Sequence, residues 1–312
     1  MGFARMIQAE FISLSQEVAE AIDAGQAVVA LESTIISHGL PWPDNLACAQ
    51  RLEAIVRKYG AVPATIALHD GKVLVGLNND QLEALATAGS NVRKVSRRDL
   101  ASVLTQRSWG ATTVAATMIA ADTAGIRVFA TGGIGGVHRG AEQDFDISAD
   151  LIELGRTPVV VVCAGAKSIL DLPKTLEVLE TQGVPIWGWH CDTFPSFFSQ
   201  SSGIDIEDTF DSLEVLASCA NTHLAMGGNG GALIVNPVPR ADALDMSQET
   251  RWIEQALKDA RTAGVGGKAA TPFLLRKLVE LSDGQTLRAN LALVENNVQL
   301  AARVAVEMAG QR

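Results

Sequence analysis

The sequence predicts an α/β protein built on a parallel or mixed central sheet with both faces covered. Three observations carry that prediction. Short apolar runs alternate with segments of helical periodicity along most of the chain. The runs at residues 27–31 and 158–163 are continuously apolar, as strands buried on both faces are. Hydrophobic residues make up 47% of the 312 and charged residues 19%, enough for a large core and too apolar for wholesale disorder. No repeat, low-complexity stretch or linker-like segment divides the chain, so residues 1–312 read as a single α/β domain.

Residues 11–24 carry apolar side chains three and four apart and predict a helix ended by Gly25. The first strand, 27–31, runs into Glu32, Ser33 and Thr34. Turn formers at 37–43 precede a helix over 46–59, capped by Asp44 or Asn45. Segments 62–68 and 72–76 flank Asp70-Gly71 and predict a hairpin. Helices are expected over 80–88, 98–106 and the alanine-rich 112–124. Strand 128–131 runs into Gly132-Gly133-Ile134-Gly135-Gly136. A short helix at 148–154 precedes strand 158–163, the strongest strand signal. Helix 169–182 and strand 185–189 come next. Residues 208–221, 248–263, 272–281 and 287–309 read as helices, and 232–235 as a strand after Gly227-Gly228-Asn229-Gly230-Gly231.

Thirty-five acidic against 25 basic residues give a net charge of −10, which argues against a nucleic-acid partner. A small anionic ligand needs only a local cluster of donors. Cys48, Cys163, Cys191 and Cys219 include no CxxC pair, and residues 1–15 have no basic-then-apolar leader. The expectation is therefore a reduced cytoplasm. No 18-residue apolar run is free of charge, so no membrane span is expected.

In open α/β sheets ligands bind beyond the carboxyl ends of the strands, which directs attention to the residues just after each apolar run. Lys167 lies between the strongest strand and the next helix. Partial burial and a helix N-terminus would push it toward a neutral amine, able to form a Schiff base; the alternative is a solvated lysine. Glu32 ends the first strand. Among apolar neighbours it would hold a proton to donate; otherwise it accepts hydrogen bonds from the Ser33 and Thr34 region. Asp144, Asp146 and Asp150 offer oxygen ligands to a hard cation, or serve as a helix cap and acidic first turn, and Asp146 suits both roles. Arg93, Lys94, Arg97 and Arg98 suit a phosphate, or a solvated basic face.

The two glycine clusters match no complete nucleotide-binding fingerprint; they offer backbone N–H groups to an anion, or tight turns requiring positive φ. His38 and His138 sit in loops after strands and are placed to line a cleft. His69 reads as structural, and His190 and His223 stay open between the two. No HExxH, His/Cys cluster or GxSxG supports a zinc enzyme or a serine hydrolase.

Taken in order, these loops resemble the pseudouridine-5'-phosphate glycosidase family, also called indigoidine synthase A-like. The matching segments are 30–39 (ALESTIISHG), 60–76 (GAVPATIALHDGKVLVG), 94–100 (KVSRRDL), 110–118 (GATTVAATM), 131–140 (TGGIGGVHRG), 146–150 (DISAD), 161–171 (VVCAGAKSILD), 271–275 (TPFLL) and 289–301. The resemblance implies a three-layer α/β/α fold and a homotrimer. It implies reversible cleavage of pseudouridine 5'-phosphate by water to uracil and ribose 5-phosphate.

Ordinary glycosidases use two carboxylates on a C–O or C–N bond. A C–C bond to uracil needs a better electron sink, which an opened ribose joined to a lysine as an imine provides. By resemblance the nucleophile is Lys167, the proton donor Glu32 and the metal ligand Asp146. The ion is usually Mn²⁺, one per subunit, with Mg²⁺ or another divalent ion as substitute. Substrate contacts fall on Lys94, Val114, Ser148, Ala149 and Asp150, with His138 and Asn290 in a second rank. Val114 would act through its backbone or through packing. Two other readings share these residues: a class I aldolase-like enzyme on another phosphosugar, and a non-catalytic phosphosugar-binding oligomer.

Overall fold

The computed structural model describes residues 9–228, 230–265 and 270–311. Asn229 of the second glycine cluster, and most of the stretch expected to carry no leader, lie outside these residues. The strands in chain order are β1 (Ile12–Leu14), β2 (Val28–Leu31), β3 (Val62–His69), β4 (Lys72–Val75), β5 (Arg93–Val95) and β6 (Gly110–Thr112). Then come β7 (Val128–Ala130), β8 (Val160–Cys163), β9 (Ile186–Trp189), β10 (Asp208–Phe210) and β11 (Ala232–Val235). The helices are α1 (Gln16–Asp23), α2 (Asp44–Lys58), α3 (Asn79–Ala88), α4 (Leu100–Gln106), α5 (Val114–Ala124) and α6 (Ala141–Asp144). They continue with α7 (Ala149–Leu154), α8 (Leu172–Thr181), α9 (Leu213–Ala225), α10 (Met246–Thr262), α11 (Ala270–Leu281) and α12 (Gln285–Gly310).

The strands join one mixed sheet in the order β1-β4-β3-β2-β7-β8-β11-β9-β10, with β6 pairing to both β3 and β5. Only β3–β4 and β3–β6 are antiparallel. β2, β7, β8 and β11 are buried at every residue, as their unbroken apolar runs require. Helices cover both faces. α12 lies across β2, β7 and β8 and packs on α2 and α9, whereas α5 packs on β2 and β7 from the other side and touches α7. α5 is buried at ten of its eleven residues. Its alanines let it sit inside the fold without a polar face.

Three departures from the sequence expectation have local causes. Ile12–Leu14 is an edge strand rather than the start of a helix, pairing in parallel with Val73, Leu74 and Val75. Ser15 stops it by accepting from the Val18 N–H and capping α1. Likewise Asp208–Phe210 pairs with β9, and the helix expected there starts only after Ser212, whose side chain caps α9. β5 escapes pattern reading because it is three residues long and two are basic; β6 holds it in place. Gly110 of β6 is crowded, since a Cβ there would stand 2.7 Å from Val95 Cγ2 and 2.9 Å from Val103 Cγ1.

The register sets up the site. Leu31 lies opposite Ala130, and Ala130 opposite Val162. The residues that leave these three strands therefore emerge side by side. β2 connects through α2 to β3 on one flank, while β7 lies on the other, so the connections diverge at this edge. A crevice at such a switch point is the expected ligand site of an open α/β sheet.

Candidate active site

A cavity of about 890 Å³ opens beyond the carboxyl ends of β2, β7 and β8. Glu32, Lys94, Val114, His138, Asp146, Ser148, Ala149, Asp150, Lys167 and Asn290 all line it. These are the ten residues to which the family resemblance assigns a role, drawn from segments up to 258 positions apart (Glu32 to Asn290).

Glu32 is braced from below. Ser33 donates to Ile66 O at 2.6 Å and accepts from the Thr112 N–H at 2.9 Å, tying the end of β2 to β3 and β6. Thr34 and Thr131 both donate hydroxyl hydrogen bonds to the Glu32 carboxylate, one to each oxygen. The surroundings of Glu32 are thus hydroxylic rather than apolar. Thr34 also reaches Thr112 O at 3.0 Å. Its single hydroxyl proton is shared between these two acceptors.

Lys167 is half-buried in the loop between β8 and α8. That loop is stitched to the glycine segment after β7: Lys167 N–H donates to Ile134 O at 3.1 Å and Ile134 N–H to Gly165 O at 3.1 Å. α8 begins only at Leu172, with Asp171 as its cap and Pro173 in the first turn, three residues later than the sequence suggested. The Lys167 charge bears on Cys163, yet burial pushes that thiol up to about 12. Cys163 therefore stays protonated, and the nucleophilic atom offered here is the amine.

The glycines at 132–136 are present for close approach. None of the four has positive φ, contrary to the turn expectation. A Cβ on Gly133 would stand 2.5 Å from Phe197 Cε2, and one on Gly135 would collide with Ser148 Oγ and stand 2.7 Å from Asp150 Oδ2. The Gly135 N–H donates to Asp150 Oδ2 at 2.9 Å, so it serves the protein's own carboxylate. Asn297 of α12 donates to Thr131 O at 2.9 Å and anchors the same segment from the helical layer.

The acidic segment divides by role. Ser148, not Asp146, caps α7 by accepting from the Asp150 N–H. Asp150 is buried and accepts from the Ala115 N–H at 2.9 Å as well as from Gly135, fixing the start of α5. Asp144 is exposed and accepts from the Asp146 N–H at 3.0 Å. Asp146 is half-buried on the cavity wall. Among the described residues no group of three or more His, Cys, Asp or Glu side chains converges on a metal position. One carboxylate facing a roomy cavity fits a hard divalent ion that keeps most of its water, and does not fit a closed zinc centre.

The basic segment is split as well. Arg93 pairs with Asp99 at 3.1 Å. Arg97 holds the buried Glu153 with two bonds, Nε–Oε2 at 2.6 Å and a guanidinium N–Oε1 contact at 2.5 Å, while still lining the cavity. Lys94 and Arg98 also line it. Val114 opens α5 with its side chain buried, which leaves its backbone as the part offered to a ligand. His138 is fixed through its N–H to Asp146 O at 3.0 Å. His38 also lines the cavity, and burial together with the Lys94 charge lowers its pKa, favouring a neutral imidazole. His69 stacks on Trp109 with ring centroids 4.0 Å apart, away from the cavity.

Sequence reasoning missed Phe145, Phe197, Thr113, Thr131 and Leu275 as wall residues. Phe145 and Phe197 both have positive φ, +57° and +62°, which no composition pattern announces. Thr113 and Thr131 had a usable signal, since each directly follows a short strand.

The family described as indigoidine synthase A like protein matches residues 17–307. A pseudouridine-5'-phosphate glycosidase of Sorangium cellulosum (strain So ce56) is 52% identical over 299 residues, 96% of this chain and 94% of that protein. One of Geobacillus kaustophilus (strain HTA426) is 54% identical over 299 residues, 96% of this chain and 99% of that protein. Among solved structures, the prealnumycin C-glycosynthase AlnA in complex with ribulose 5-phosphate superimposes with a TM-score of 0.90 at 36% identity, covering 97% of this chain and 99% of that one. An indigoidine synthase A-like protein from Thermotoga maritima gives a TM-score of 0.87 at 36% identity over 96% of this chain and 97% of that one.

Proposed function

This chain belongs to the indigoidine synthase A-like family, and we propose that it is a pseudouridine-5'-phosphate glycosidase, cleaving its substrate with water to uracil and ribose 5-phosphate. The observation that carries this reading is the meeting of one amine, Lys167, and one hydroxyl-bound carboxyl, Glu32, in a single cavity at the ends of β8 and β2, the two strands that flank β7. Relatives at 52–54% identity over nearly the full chain bear this name. A structural neighbour named as a C-glycosynthase holds a five-carbon phosphosugar.

In this reading Glu32 protonates the ring oxygen of the ribose as the ring opens, with Thr34 and Thr131 fixing its carboxyl. The Lys167 amine bonds to C1' of the opened sugar. The C1'–C5 bond then breaks. Its electron pair stays on uracil, delocalised into the neighbouring carbonyl and quenched by a proton, while the nitrogen lone pair forms the imine. Water hydrolyses the imine, releasing ribose 5-phosphate and the free amine. Lys94 and Arg98 supply cationic donors for the phosphate. The α5 N-terminus at Val114 and the Ser148-Ala149-Asp150 segment orient the nucleotide, with His138 and Asn290 completing the wall.

Asp146 would hold Mn²⁺ or another hard divalent ion, whose chemistry there is charge neutralisation beside an anionic substrate. The reading includes a homotrimer in the cytoplasm. Among the described residues no helix is long and apolar enough to cross a membrane.

The test is uracil release from pseudouridine 5'-phosphate with and without Mn²⁺, with borohydride trapping in parallel. Metal-dependent release and a reduced adduct at Lys167 are expected. An adduct with ribose 5-phosphate but no uracil release would move the substrate to another base or sugar. Neither release nor adduct would overturn the reading.

A further inference from the structure

Glu249 is a carboxyl that the chemistry above does not use. It sits in the first turn of α10, 2% exposed, outside the cavity. Ser199 lies against its Oε2, and the same Ser199 hydroxyl donates to Leu244 O at 3.1 Å. Ser168, the residue after Lys167, is 4% exposed and faces the carboxyl from the other side. Ser168 Oγ and Glu249 Oε1 are both buried, and neither makes a hydrogen bond. Arg139, next to His138, reaches Ser168 O at 3.5 Å and is the charged group that bears on Glu249.

Proton counting fixes the arrangement. Ser199 has one hydroxyl proton and two acceptors, Leu244 O and Glu249 Oε2. Both are satisfied only if Glu249 carries the second proton. The neutral acid then donates from Oε2 to Ser199 and Ser199 donates to Leu244 O, which leaves Oε1 as the open acceptor facing the unpartnered Ser168 hydroxyl. Closing that one contact pairs every buried polar atom of the set. Burial independently pushes the Glu249 carboxyl up to about 7 against the opposing Arg139 charge and the two serine hydroxyls.

The chain of contacts joins two parts of the cavity wall. Ser168 belongs to the loop that aims Lys167. Ser199 closes the turn that carries Phe197, with the reciprocal Ser196–Ser199 backbone pair at 3.2 and 3.4 Å, and Phe197 packs on Gly133 beside Thr131. We propose that Glu249 is a positioning residue, a neutral carboxylic acid that locks the Lys167 loop to the Phe197 turn from behind the cavity. Above its pKa the acid loses the proton it gives to Ser199, and the lock loosens. The inference rests on the reading of Lys167 as the reacting amine.

The experiment compares the full-length wild type with Glu249→Gln and Glu249→Leu. It measures kcat and KM for pseudouridine 5'-phosphate from pH 5.5 to 8.5, and the rate of borohydride-trapped adduct with ribose 5-phosphate. Glutamine repeats the neutral acid's pattern, one donor and one acceptor, so kcat is retained within about twofold and the fall in kcat through roughly pH 7 disappears. Leucine lowers kcat and adduct rate by about tenfold or more with KM little changed, because a small misplacement of a reacting group is enough. Ser168→Ala removes one link without opening a large void, and loses kcat in the same direction should the leucine variant fail to fold.

Wild-type kcat in Glu249→Leu, or in Ser168→Ala where leucine does not fold, overturns the proposal. So does an equal loss in the glutamine and leucine variants. Wild type that forms no adduct at all overturns the Lys167 reading and this one with it. An adduct that forms equally fast in wild type and Glu249→Leu overturns this one alone.

Discussion

The ends of β2, β7 and β8 and the segment 141–149 both line the cavity, yet they are held in opposite ways. At the strand ends, Glu32 is gripped by two threonines, Ser33 is tied to two neighbouring strands, and the Lys167 loop is bonded to the glycine segment beside it. In the acidic segment, Phe145 is 80% exposed with φ +57°, Asp144 is exposed, and Ile147 and Ala149 face outward. The first region is a floor cross-linked by hydrogen bonds; the second is an exposed lip at the cavity mouth. In the proposed reaction, preorganisation is concentrated where bonds change, and adaptability where a ligand enters.

The sharpest way to break that contrast is at the floor. Lys167→Ala should reduce uracil release to background with the thermal midpoint within a few degrees of wild type, because a half-buried side chain on a cavity wall carries little of the core. Glu32→Gln should cost about 10²–10⁴-fold in kcat, the usual range for a proton donor. Measurable turnover in the lysine variant, by product chromatography, would show that the floor does not supply the nucleophile.

A smaller effect lies beneath the floor. The Glu249 carboxyl is pushed up to about 7, above its ordinary 4.5. Between those values the folded chain keeps a proton that the unfolded chain has released. Stability therefore falls as pH rises through this window, by roughly 3 kcal/mol in all, and levels off above it. In thermal melts from pH 5 to 8, wild type should lose ground to Glu249→Gln as pH rises. Parallel curves would mean that no buried acid titrates here.

The smallest effect belongs to the lip. Phe145→Asn places a residue tolerant of positive φ at an exposed position and removes no buried surface. Its unfolding free energy should stay within about 0.5 kcal/mol of wild type, while KM rises and kcat holds. A fall in kcat at saturating substrate would show that the lip shares the work of the floor.

Much of the site is readable in one dimension, and the reason is visible in particular residues. Glu32, Thr131 and Lys167 each come after an unbroken apolar run, and a buried parallel strand must deliver the next residues to one edge of the sheet. Asp150 and the glycines are only half legible. Asp150 has the look of a ligand, but its oxygens accept from Ala115 and Gly135. The glycines have the look of turns, but they make room for Phe197 and Ser148. In both cases the partner is distant in sequence or on another element, so no local pattern encodes it. β1 and β10 read as helix because a three-residue edge strand is too short to show its own period.

By itself the sequence determined the alternation of elements, the acidic balance, the absence of a complete nucleotide-binding fingerprint and the residues that could carry an amine-based reaction. Those depend on local composition and spacing, which the chain writes directly. Tertiary structure alone decided that β2, β7 and β8 are neighbours and that the ten candidates share one cavity. It also decided that Arg97 is engaged by Glu153, and that a carboxyl 82 positions beyond Lys167 lies behind its loop. Those depend on strand order and on which buried polar atoms must find partners, conditions satisfied only when distant segments pack together.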